Sequence, residues 1–113
     1  MLHLRIYAGA DTSEPVVKML SADPAVSGLA VLPGASIVPA GDVLLVDVAR
    51  EAANDVIDRL RELGVQRGGT IHIEPVPTWI SQSGFDAEQL ARGAAPTRWS
   101  GPKWSSAPTT IPS

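Results

Sequence analysis

Asp42-Val-Leu-Leu-Val-Asp-Val48 runs without a break into Ala49-Arg-Glu-Ala-Ala-Asn-Asp-Val-Ile-Asp-Arg-Leu-Arg-Glu-Leu-Gly64. Val43 to Val48 is apolar on nearly every residue, which predicts a strand inside a sheet rather than at its edge. Ala49, Ala52, Ala53, Val56, Leu60 and Leu63 then recur at helical spacing, and Asp55 with Arg59 forms an i,i+4 pair on the outer face. Gly64 is placed to end that helix as a left-handed C-cap.

Upstream, Leu2, Leu4 and Ile6 alternate with His3, Arg5 and Tyr7, the period of a strand with one buried and one wetter face. Asp11-Thr-Ser-Glu-Pro15 supplies side-chain oxygens to cap a helix, with Pro15 in its first turn and Val16, Val17, Met19 and Leu20 as its apolar face. Asp23-Pro24 stops it, since the residue before a proline is pushed out of helical geometry. Val26 to Leu32 reads as a second strand, Pro33 to Gly41 as a turn-rich link, and Thr70 to Val76 as a fourth strand after Gly68-Gly69. The order βαββαβ, with short links and right-handed crossovers, predicts an α+β, ferredoxin-like sandwich. Its four-stranded antiparallel sheet would carry both helices on one face and have the second and fourth strands as edges.

Residues 1–76 would form that domain. From Pro77 to Ser113 the chain is rich in Pro, Ser, Thr and Gly, the composition of a linker and a largely disordered tail, with Phe85 to Arg92 alone suited to a short helix. At 113 residues the chain has material for one small core. A net charge of −3 with scattered basic residues provides no footprint for a phosphate backbone, so nucleic acid is not expected as a partner. The absence of cysteine excludes disulfides, thiolate catalysis and Cys-based zinc sites. Neither a signal peptide nor an apolar run long enough to span a bilayer is present, which leads to the expectation of a soluble, cytoplasmic chain without direct membrane insertion.

His3, Arg5, Tyr7, His72 and Glu74 fall on the helix-free sides of the first and fourth strands and constitute the candidate interface. His3 and His72 on neighbouring strands, with Glu74, offer imidazole and carboxylate groups, but no third or fourth ligand is clearly placed, so no metal is assigned. Arg5 and Tyr7 resemble the beginnings of an RNA-stacking sheet, yet the third strand contributes no aromatic residue. Asp11 and Glu14 oppose an anion at the loop between Gly9 and Pro15 and are read as capping residues. Asp47, a carboxylate in an apolar strand, needs a partner and is expected to bond the backbone at the start of the second helix. Asn54 is expected to be solvated. No nucleophile-base set, phosphate loop or paired-carboxylate cleft assembles, so no catalytic residue and no cofactor are assigned.

Met1-Leu-His-Leu-Arg-Ile6, Leu29-Ala-Val-Leu-Pro-Gly-Ala35 and above all Gly41 to Gly64 resemble the N-terminal soluble region of actinobacterial proteins of the domain-of-unknown-function 389 family, over about residues 1 to 95. The resemblance implies a cytosolic domain of a membrane protein of transporter type, since such relatives continue into several membrane spans. It transfers no catalytic or ligand residue. The partner it implies is another copy or the membrane domain of full-length relatives. Thr97 to Ser113 departs from the family's acidic continuation. Back-translation with GC-rich codons, read one base earlier, converts the Trp-Ser pairs at Trp99 and Trp104 into Val-Val. A frameshift or truncation after about Pro96 is therefore expected, and the nucleotide sequence of the gene tests it. The alternative reading is a free-standing domain that dimerises and senses a small molecule through Gly9 and the Pro33 to Gly41 loop.

Overall fold

The structure, a computed structural model, describes residues 1–94. Of the tail expected from Pro77, residues 95–113, with the frame change expected after about Pro96 and with Trp99 and Trp104, lie outside the described residues. Strands β1 (Leu2–Ala8), β2 (Val26–Ser36), β3 (Gly41–Val48) and β4 (Thr70–Pro75) form one antiparallel sheet in the order β2-β3-β1-β4. The fold is therefore α+β, and β2 and β4 are the edges. Helix α1 (Ala10–Ser21) joins β1 to β2, and α2 (Ala53–Glu62) follows β3 after a single 3-10 turn at Arg50–Ala52. A one-turn helix α3 (Val65–Gly68) and a longer α4 (Gln82–Ala94) complete the elements.

Leu2, Leu4 and Ile6 of β1 and Leu44, Val46 and Val48 of β3 are fully buried beneath Val16 and Leu20 of α1 and Val56, Ile57 and Leu60 of α2. The two-residue period of the strands and the helical spacing of α2 thus meet in one core on one side of the sheet. Ile71 and Ile73 extend it toward the β4 edge. Gly64 takes a φ of 82°, the left-handed geometry expected of a helix C-cap. The Asp55–Arg59 pair forms at 3.2 Å, and the same Arg59 Nη2 reaches Asp23 Oδ2 at 2.5 Å. Asp23 also accepts the Ala25 N–H at 2.9 Å, so the turn that ends α1 is tied to the flank of α2.

Several local expectations are corrected. Helix α1 begins at Ala10 with Gly9 as its N-cap and no side-chain cap, which puts Pro15 in the second turn. The oxygens that were expected to cap it are engaged elsewhere: the Ser13 hydroxyl donates to Asp42 Oδ2 at 2.6 Å and that of Thr12 to Asp11. Strand β2 continues past Pro33 to Ser36, with register irregularities between Val26 and Gly28 and between Leu32 and Ser36 that absorb the proline. The Val38–Pro39 peptide in the hairpin turn is cis. Asn54 is the second residue of α2, and its Oδ1 is buried rather than solvated.

Helix α4 is longer than Phe85 to Arg92. Ser81 opens it, its hydroxyl accepting the Gly84 N–H at 3.0 Å and its carbonyl the Phe85 N–H at 2.9 Å. Ala87 and Ala91 pack on Ala25 and Ala49, at the ends of β2 and β3. Glu88 accepts the Arg50 N–H at 3.0 Å and pairs with the Met1 ammonium at 3.1 Å. This segment beyond Val76 therefore fastens the start of β1 to the end of β3.

Candidate functional site

The face of the sheet opposite α1 and α2 is laid out by strand register. Gly28, Asp47, His3 and Glu74 form one row across the four strands, followed by Ala30, Leu45, Arg5 and His72, then by Leu32, Val43, Tyr7 and Thr70. Each row alternates with one that points into the core, because successive side chains of a strand take opposite faces. All five residues of the candidate interface, His3, Arg5, Tyr7, His72 and Glu74, thus share this face.

They do not converge on one point. His3 stands between Asp47 and Glu74, and its Nδ1 lies 2.9 Å from Asp47 Oδ1. His72 stands opposite Arg5 and turns its ring toward Tyr7, edge to face, with centroids 5.6 Å apart. The two histidines therefore belong to different rows and do not form a pair. Among the described residues no group of three or more His, Cys, Asp or Glu side chains is arranged to hold a metal ion.

Asp47 corrects a second expectation. Its carboxylate does not bond the start of α2; it points to the open face, 40 % exposed, and pairs with His3. Parity carried the signal: once Leu44, Val46 and Val48 face the core, Asp47 must face outward, and antiparallel pairing of β1 with β3 puts His3 beside it. Gly28 completes the row, since a Cβ there would lie 2.8 Å from Asp47 Oδ2.

In the centre of the face Val43, Leu45 and Tyr7 remain partly exposed, framed by Arg5, His72 and Glu74. Such a patch suits contact with another surface: apolar area supplies the driving force and the surrounding polar groups set orientation.

Two other places on the molecule bring polar or apolar groups together. Between Gly9 and the hairpin turn, Asp42 accepts the Ser13 hydroxyl and the Gly34 N–H, the latter at 2.8 Å, and these two bonds hold its carboxyl below the ordinary value. The Ser13 hydroxyl, a donor in the first turn of α1, is thus taken by the protein's own carboxylate. A cleft of about 300 Å³ opens between α2 and β4, lined mainly by apolar atoms of Ile57, Ile71 and Ile73 with Arg61 and Gln66 at its rim. No pair of groups in it is arranged as nucleophile and base.

No helix among the described residues is long and apolar enough to cross a membrane. In comparison with known proteins, neither a family model, nor a curated protein, nor a solved structure matches this chain.

Proposed function

We propose that this chain is a non-catalytic, cytoplasmic binding domain of ferredoxin-like architecture whose working surface is the open sheet face. The strand order β2-β3-β1-β4 with α1 and α2 on one side supports the architecture. The observation that carries the functional reading is the partly exposed Val43, Leu45 and Tyr7 patch within its polar frame. On the resemblance described above, the chain is the N-terminal head of a domain-of-unknown-function 389 protein, and it regulates or assembles the membrane half of a transporter-like molecule.

The test uses a full-length relative, with its membrane portion purified in detergent and presented to this chain. Leu45→Asp places a charge in the middle of the patch without touching the core side of β3. It is expected to reduce binding at least tenfold while the melting temperature stays close to that of the parent. Equal binding by parent and variant refutes the assignment of the face. A thermal-shift screen with amino acids, nucleotides and divalent cations tests the rival sensor reading, because specific binding raises the stability of the native state by mass action. A specific rise with one of these compounds would replace the assembly role with ligand sensing.

A further inference from the structure

We propose that the free edge of β2 pairs with the same edge of a second copy of this chain, antiparallel about a twofold axis through Ala30. The two four-stranded sheets would join into one layer. The inference goes beyond the open-face reading, and neither depends on the other.

The two edges of the sheet differ in chemistry. Strand β4 carries His72 and Glu74 and ends in Pro75, features that discourage pairing with another chain. Strand β2 carries none of these defences over Gly28 to Leu32; just before that run the Ser27 carbonyl accepts the Ser83 hydroxyl of α4 at 3.2 Å. It lies within Pro24 to Gly41, a stretch without a single ionisable side chain, in a chain whose net charge is −3. Two acidic copies repel each other, and this uncharged stretch is where they approach without juxtaposing like charges. The same stretch also carries four large exposed aliphatic side chains: Val31 (38 %), Leu32 (42 %), Ile37 (86 %) and Val38 (88 %).

Register selects the axis. The irregularities between Val26 and Gly28 and between Leu32 and Ser36 leave Gly28 to Leu32 as the regular run, whose middle residue is Ala30. Antiparallel partners share a face, so a twofold axis normal to the sheet must pass through a residue and not between two. Centred on Ala30, it sets Leu29 of one copy opposite Val31 of the other on the helix side, and Gly28 opposite Leu32 on the open side. Pro33, which has no N–H, meets Ser27 and ends the ladder. Because the strand pairs with itself, the contact closes at two copies and does not propagate.

Equilibrium sedimentation of the full chain and of two charge variants tests this. The parent is expected at twice 11.8 kDa. Ala30 is exposed, so Ala30→Lys and Ala30→Glu fold, which circular dichroism checks, yet each places like charges face to face on the axis. Each variant alone is expected as a monomer, and an equimolar mixture as a dimer. Thr70→Lys, at an exposed position on the opposite edge and outside the candidate interface, is expected to leave the parent dimer intact. Should either charge variant misfold, amide exchange on the parent decides: protection of Gly28 to Leu32 must rise with protein concentration. The proposal is overturned by a monomeric parent, by a dimer indifferent to Ala30→Lys, by a mixture that stays monomeric, by dissociation through Thr70→Lys, or by exchange that ignores concentration.

Discussion

Gly69 sits so close to β1 that a Cβ on it would lie 1.8 Å from the Tyr7 carbonyl oxygen. Its neighbour Gly68 has no atom within 4 Å of the same position. Gly69→Ala is therefore expected to push β4 off β1 and cost about 2–4 kcal/mol, whereas Gly68→Ala costs less than about 1 kcal/mol. Urea denaturation of the two variants measures the difference. The sequence shows the pair Gly68-Gly69 as a turn and nothing more. Which glycine is required depends on how near a strand some sixty positions earlier passes, a fact of tertiary structure. His3 and Asp47 teach the same lesson from the other side. His3 is visible on the wetter side of an alternating strand and Asp47 as a polar member of an apolar one, but their contact arises from the β1–β3 register.

Helix α4 is held mainly by small side chains and one carboxylate. Alanines bury little area each, so Ala87 and Ala91 produce a weak apolar period, which is why the sequence reading shortened this helix. Burial works against ionisation of Glu88. Hydrogen bonds from the Arg50 N–H, with the Glu51 carboxyl and from the Met1 ammonium outweigh it, and the Glu88 pKa lies below its ordinary value of 4.5. A carboxyl with a depressed folded pKa contributes its full stabilisation above the ordinary value. The contribution declines as pH falls below 4.5 and is gone once pH has passed the lower folded pKa. Glu88→Gln keeps an acceptor for the Arg50 N–H but loses the charge facing Met1. It is expected to be less stable than the parent by about 1–3 kcal/mol at neutral pH, with the gap narrowing in acid. Thermal melts from neutral pH down through the carboxylate range check both parts, and a gap that widens on acidification would contradict the pairing.

The sheet buries one side and leaves the other open, and two leucines on adjacent strands report the asymmetry. Leu4 of β1 is fully buried beneath the helices, whereas Leu45 of β3 lies on the open face and is only partly covered. Leu4→Ala is expected to cost about 2–5 kcal/mol, a large share of the roughly 5–15 kcal/mol that a domain possesses, and Leu45→Ala less than about 1.5 kcal/mol. Chemical denaturation distinguishes them. Near-equal losses would mean that the open face is packed in solution, as it would be against a partner of high affinity.

Residue order alone was enough for the α+β class, for β1, β3 and α2, and for the position of β2 and β4 at the edges. Those features follow from local periodicity and from the few ways short connections can be closed. The extension of β2 past Pro33, the docking of α4, the His3–Asp47 pair and the separation of His3 from His72 were settled by register and by approach between distant segments. Pairing register and helix docking are chosen by the sum of many small packing and hydrogen-bonding contributions over the whole fold, and no window of neighbouring residues contains that sum.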